Sequence, residues 1–256
     1  MTLLIDLGNT RIKWARERNG RATAQRSMPS VTIDRSTFAP LFARLVADEP
    51  VRAVNVAGEA AEAALRTAAR AAGLPAPLFL RSTSRTHSAG GVLVNAYREP
   101  WRLGADRWAA LIGARALTHG KSPLCVVDIG TAMTVDFVSA DGRHRGGYIV
   151  PGPRLAVDSL LAGTDGIRQR AAGGRRTTDR PWPRSTLPAI ERGALEAAAG
   201  MVDRCTAEAR GQFGKGTRLL LTGGGAPAVL PLLDAKPAHH PDLVLQGLQA
   251  WDAADC

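Results

Sequence analysis

Leu3-Leu4-Ile5-Asp6-Leu7-Gly8-Asn9-Thr10-Arg11-Ile12-Lys13-Trp14 is the stretch whose reading decides the fold. An apolar run enters an aspartate, then a glycine and a hydroxyl-bearing turn, then the alternation Ile12, Trp14. This pattern predicts a buried strand, a tight polar turn and a second strand, a hairpin that opens the chain. The turn sets a carboxylate beside backbone N–H groups and the Thr10 hydroxyl. Gly8 allows close backbone approach, and Asp6 can hold a cation, so a metal-bound phosphate suits the place. Asp-x-Gly alone also begins many ordinary hairpins.

A second copy gives the pattern weight. Cys125-Val126-Val127-Asp128-Ile129-Gly130-Thr131-Ala132 has the same grammar and runs into the alternating Met133 to Val138. The two aspartates stand nearly half a chain apart, which suggests two similar halves with their Asp-Gly turns facing across one cleft. A third apolar strand, Leu219 to Thr222, runs into Gly223-Gly224-Gly225.

The 256 residues are enough for two domains, and 45% apolar content allows a sizeable core. The first residues have no basic region and the apolar run stops at once, unlike a signal peptide. No stretch reaches the roughly 18 uncharged residues of a membrane helix. Cys125, Cys205 and Cys256 are odd in number and widely spaced, which fits a reducing cytoplasm, and Cys125 reads as core. The formal charge of +10 comes mostly from arginine among alanine-rich stretches. Its plainest reading is solvated surface, before a basic cleft for phosphate and then nucleic acid.

Along the chain, Ser36 to Val46 has a helical repeat capped by Ser36 or Thr37. Val51 to Val56 reads as a strand, Glu59 to Ala72 as a helix closed by Gly73, and Pro77 to Leu80 as a short strand. Such alternation argues α/β. Ser82 to Gly91 reads as loop. Asp106 falls in the first turn of the next helix, where the helix dipole favours a carboxylate. Leu155 to Leu161 looks helical, and the arginine-rich 166–185 reads as a mobile surface loop. Ser185-Thr186 begins a long helix through Arg210, with Thr186 a candidate cap, and Leu243 to Trp251 is a terminal helix. His87, His119, His144, His239 and His240 show no ligand spacing and are assigned to the surface.

No G-x-x-x-x-G-K-[ST], G-x-S-x-G or H-E-x-x-H is present. Two Asp-Gly-Thr turns and a late glycine turn suit a nucleotide held between two lobes, with the glycine triplet against adenosine. The layout resembles the acetate and sugar kinase/Hsp70/actin superfamily, each half ribonuclease H-like. Within it, Asp6 to Lys13, Gly104-Ala105-Asp106-Arg107, Asp128 to Ala132 and Gly146 to Gly152 are together similar to the type III pantothenate kinases. The resemblance runs over nearly the whole chain and implies two lobes, 1–118 and 119–256, with an ATP cleft between them.

It further implies ATP-dependent phosphorylation of pantothenate, the first step towards coenzyme A. Asp6, Leu7, Gly8, Asn9, Thr10, Arg11, Ile12 and Lys13 would form the phosphate-binding turn, with Mg²⁺ reaching Asp6 through ATP, and Thr131 would touch ATP. Gly104, Ala105, Asp106 and Arg107 would hold pantothenate, with Asp106 the proton acceptor. Tyr97 and Thr186 match positions lining the substrate site. Asp128 would coordinate a monovalent cation, K⁺ or NH₄⁺. A cytoplasmic homodimer is expected, with the substrate pocket near the subunit interface. One departure is Ser185 before Thr186, where the family usually has asparagine. A transcriptional or nucleic-acid-binding role on the same fold, or a kinase of another alcohol or sugar, are the alternatives.

Overall fold

In the computed structural model, which describes residues 1–43, 45–46, 48–174 and 182–251, the opening apolar run is strand β1 (Thr2–Leu7). The turn at Gly8 to Thr10 sends it back as antiparallel β2 (Arg11–Arg18), with Asp6 opposite Lys13. Short strands β3 (Arg21–Ala22) and β4 (Arg26–Pro29) pair with β2. Helix α1 (Arg35–Phe42) leads to β5 (Val51–Asn55), parallel to β1. Helix α2 (Glu59–Ala71) then leads to β6 (Leu78–Phe79), parallel to β5. The sheet order is β3-β2-β1-β5-β6. Its central strand β1 is buried on both faces, so Leu3, Leu4, Ile5 and Leu7 are all inaccessible. Each contributes roughly 1.5–3 kcal/mol by leaving water.

A ribbon of β7 (Arg85–Thr86) and β8 (Leu93–Val94) precedes helix α3 (Ala105–Leu117). Next comes the second apolar run, β9 (Leu124–Ile129), followed by β10 (Ala132–Val138), β11 (His144–Pro151), α4 (Pro153–Gly163) and α5 (Asp165–Ala171). The long α6 (Thr186–Phe213) leads to β12 (Arg218–Thr222), α7 (Ala226–Val229), β13 (Ala238–His239) and α8 (Leu243–Ala250). Strands β9, β12 and β13 are parallel neighbours, in the order β11-β10-β9-β12-β13. Each sheet thus places a central strand between its hairpin partner and two parallel followers, and the duplication heard in the sequence is a duplication of topology.

Contacts group the chain into two units. The first holds residues 1–122, 138–146 and those from 242 on; the second holds 123–137 and 147–241. Each has its own core. Leu3, Ile5, Phe38, Leu65 and Phe79 meet in the first. Cys125, Val127, Val135, Val202 and Leu221 meet in the second. Within the first, α3 and α8 cross at their glycines: a Cβ on Gly113 would lie 2.5 Å from the Leu243 carbonyl oxygen.

Four expectations change. The cap of α1 is Asp34, whose Oδ1 accepts from the N–H groups of Ser36 (2.8 Å) and Thr37 (3.1 Å). A carboxylate two residues upstream therefore outcompetes the hydroxyls of Ser36 and Thr37, and the helix, with Pro40 inside it, stops at Phe42. Loop 82–91 contains the short β7. Within 166–185, residues to Ala171 are helical in α5, while 175–181, with Arg175, Arg176 and Arg180, lie outside the described residues, as does Cys256. Finally, His144 is buried at 3% exposure because it is an inward position of β11 stacked on an aromatic ring.

Candidate active site

Asp6 is the penultimate residue of β1, in the middle of its sheet, and is 4% exposed. Lys13, opposite it in the hairpin, brings Nζ to 3.5 Å from Asp6 Oδ2. The turn between them is tight: the Gly8 N–H donates to the Arg11 carbonyl at 3.1 Å. A Cβ on Gly8 would stand 2.9 Å from that same oxygen, so glycine is required there. Ser30 braces the turn by donating Oγ–H to the Gly8 carbonyl at 2.9 Å and its N–H to the Thr10 carbonyl at 2.9 Å. Asn9, Thr10 and Arg11 remain exposed, and the Arg11 guanidinium donates to Ser27 Oγ at 2.6 Å. Burial pushes the Asp6 carboxyl up to about 6; Lys13 pulls it down and the charge of Asp106 raises it again. Asp6 and Asp106 both lie in the first unit.

Helix α3 delivers Asp106 and Arg107 in its first turn, where backbone N–H groups have no helical partner. Asp106 Oδ1 accepts from the Arg107 N–H at 2.8 Å. With the carboxylate folded back in this way, a Cβ on Gly104 would be 2.6 Å from Asp106 Oδ1. Arg107 is buried, and its Nη1 donates to the Tyr97 hydroxyl at 3.1 Å. Tyr97 is half-buried and its N–H donates to Asn95 Oδ1 at 3.0 Å. Asn95 Nδ2 in turn donates to the carbonyls of Thr83 and Pro100, each at 3.2 Å. Asn95, Ser30 and His144 thus support the site without having been picked out in the sequence. Asn95 lies two residues before Tyr97, which is the local Asx-turn spacing; Ser30 has no comparable signal.

The second turn is built in the second unit. Asp128 pairs in register with Thr222 of β12. The Gly225 N–H donates to the Ile129 carbonyl at 2.8 Å and the Gly152 N–H to the Thr131 carbonyl at 2.9 Å. Backbone closes on this turn so tightly that a Cβ on Gly223, at φ +94, would overlap Asp128 Oδ1 and the Ile129 oxygen. A Cβ on Gly225 would lie 2.7 Å from Ile129 Cγ2. Two of the three glycines therefore serve close packing, and only Gly224 faces open space. Thr131 is exposed on the turn. Thr186 is the first residue of α6, with Ser185 in the cap position. It lines a hollow of about 750 Å³ with Leu160, Ile167, Ile190 and Ala194, between α4, α5 and α6.

Among the described residues no three His, Cys, Asp or Glu gather to hold a metal ion by themselves. Nucleotide-borne Mg²⁺ asks less of the protein, since it keeps waters and phosphate oxygens and takes one or two carboxylates. The buried carboxyl of Asp6 fits that demand. No described helix is long and apolar enough to cross a membrane.

Comparison with known proteins gives the family. Residues 2–208 match the family model described as type III pantothenate kinase. A type III pantothenate kinase of Azoarcus sp. (strain BH72) is 40% identical, covering 100% of this chain and 92% of that protein. A conserved protein of Campylobacter jejuni, assigned to the Baf family of transcriptional activators, superposes with a TM-score of 0.58 at 19% identity, covering 96% of this chain and 95% of its own. The activator of the 2-hydroxyisocaproyl-CoA dehydratase from Clostridium difficile, with bound ADPNP, gives 0.50 at 12% identity, covering 98% and 92%. These two likenesses speak for the fold alone, the α/β fold of the actin-like ATPases. Sequence and fold together place the chain: it belongs to the type III pantothenate kinase family.

Proposed function

We propose that the chain transfers the γ-phosphoryl group of ATP to the terminal hydroxyl of pantothenate, the first step towards coenzyme A. The observation supporting it most is the buried Asp6 on its tight glycine turn, 3.5 Å from Lys13 Nζ and in the same unit as Asp106. A phosphate-binding turn and a proton acceptor then work on the same reacting groups. Asp6 to Lys13 takes the phosphates, Lys13 offering an ammonium and Gly8 to Thr10 their backbone amides. Asp6 would hold Mg²⁺ through ATP, and the ion would offset the phosphate charge. Asp106 orients the hydroxyl and takes its proton late, because phosphoryl transfer passes through a loose transition state. Arg107 pairs with the pantothenate carboxylate, whose planar geometry matches a guanidinium, and Gly104, Ala105 and Tyr97 complete that subsite.

Asp128 supplies a carboxylate for a monovalent cation, K⁺ or NH₄⁺, beside the main-chain oxygen of Ile129, and Thr131 touches ATP. We keep the division into lobes 1–118 and 119–256, with the second lobe also taking adenosine. The protein acts in the cytoplasm as a homodimer. In support of the dimer, α4 is apolar yet buries none of its residues, and Leu155 and Leu160 are exposed. Thr186, on the adjoining hollow, is kept as a candidate substrate-binding residue. ADP release coupled to pantothenate, run beside a panel of other small alcohols and sugars, tests the assignment. Turnover only with another alcohol would move the substrate, and salt-sensitive DNA binding without turnover would replace the reading.

A further inference from the structure

His144 has no place in the chemistry above, yet it is buried at 3% exposure. Its ring lies against Tyr97 with centroids 6.1 Å apart and planes 18° from parallel, an offset stack. Tyr97 also meets Arg107. The phenol oxygen accepts from Arg107 Nη1 at 3.1 Å, and the guanidinium carbon is 5.8 Å from the ring centroid. Asn95 fixes only the backbone of Tyr97, at its N–H. The His144 stack bears on the plane of the phenol ring. The strand start is brought there by local pairing: the Val94 N–H donates to the Gly142 carbonyl at 2.9 Å, and Val94 bridges Arg143.

We infer that His144 is a positioning residue for the substrate carboxylate. It acts through Tyr97, holding the phenol where it fixes the plane of the Arg107 guanidinium. The inference rests on the proposed pairing of Arg107 with pantothenate. A guanidinium binds a carboxylate well only when its fork is aligned, so a tilt reaches substrate binding before it reaches the chemical step.

The test compares His144→Leu, which keeps an apolar side chain in the buried position, with His144→Phe, which keeps a flat ring. Leucine should raise the pantothenate KM roughly three- to tenfold, the size of a lost aromatic stack, and leave kcat and the ATP KM within about twofold of wild type. Phenylalanine should restore the pantothenate KM. Crystal structures of both variants without ligand supply a readout that needs no substrate. The Tyr97–Arg107 separation should exceed about 3.5 Å, the hydrogen-bond limit, in the leucine variant and stay bonded in the phenylalanine variant. An unchanged separation and KM with leucine, a failure of phenylalanine to restore them, or an equal fall in every kinetic constant would overturn the inference. Absence of pantothenate turnover in the wild-type protein would instead sink the substrate reading, and the crystal structures alone would then decide what His144 does to Tyr97.

Discussion

Gly247→Ala adds one methyl group to α8 where it crosses α3. The new Cβ would overlap the Ala109 carbonyl oxygen and stand 2.6 Å from its carbon and 3.1 Å from Ala109 Cα. Ordinary contact begins near 3.4 Å, and the obstacle is helix backbone that no rotamer change can move aside. The two helices must therefore separate by roughly an ångström, at the upper end of overpacking costs, about 3 kcal/mol. Alanine returns about 1 kcal/mol of helix propensity. The net loss of about 2 kcal/mol corresponds to a fall in Tm of about 4–8 °C for a chain of this size. Buried Trp108 and Trp251 both lie in this unit, so tryptophan fluorescence during heating reports the loss. The contrasting variant is Gly200→Ala in α6, where a methyl would meet nothing within 4 Å and should stabilise by about 0.5–1 kcal/mol. A Gly247→Ala protein as stable as wild type would refute the close crossing that seats α3.

Gly104→Ala sets a Cβ 2.6 Å from Asp106 Oδ1 and should turn the carboxylate from its place. We expect a loss of roughly tenfold or more in kcat, within the range of a misplaced general base, with a Tm near wild type; equal kcat would show that Asp106 is not held by this contact. Glu62 gives a pH prediction. Burial raises its carboxyl, but hydrogen bonds from Arg66 and Arg81 outweigh it and the net shift is downward. A depressed folded value contributes stability above the ordinary 4.5 that is lost as pH falls through the lower folded value. Glu62→Gln should cost about 0.5–1 kcal/mol near neutrality and flatten urea-stability curves in the acid range, and a curve parallel to wild type would contradict the ion-pair account.

Much of this was legible because the decisive signals were local. A buried central strand must be apolar on both faces, so β1 and β9 stand out as runs, and each Asp-Gly turn follows at a fixed distance. Asp106 at a helix start was equally visible, since its position depends on one boundary. What escaped reading depends on neighbours far along the chain or on competition between near-equals. Asp34 won the cap of α1 from Ser36 and Thr37 because its carboxylate reaches both amides at once, a contest that composition does not settle. His144 sits among arginines and glycines that look like a turn, and only its stack with Tyr97, nearly fifty positions away, shows that it points inward. The glycine triplet likewise looked like one flat platform, but Gly223 and Gly225 are shaped by the Asp128 turn they enclose.

Asp106→Asn is the most direct probe of the central proposal, that this carboxylate accepts the proton of the substrate hydroxyl. Asparagine keeps the size of the side chain and its acceptor for the Arg107 amide, and removes the base. Steady-state turnover with pantothenate, measured alongside calorimetric binding of ATP and pantothenate, should show kcat reduced by roughly a hundredfold or more with both affinities within about threefold. A variant that turns over as fast as the wild-type protein would take Asp106 out of the mechanism.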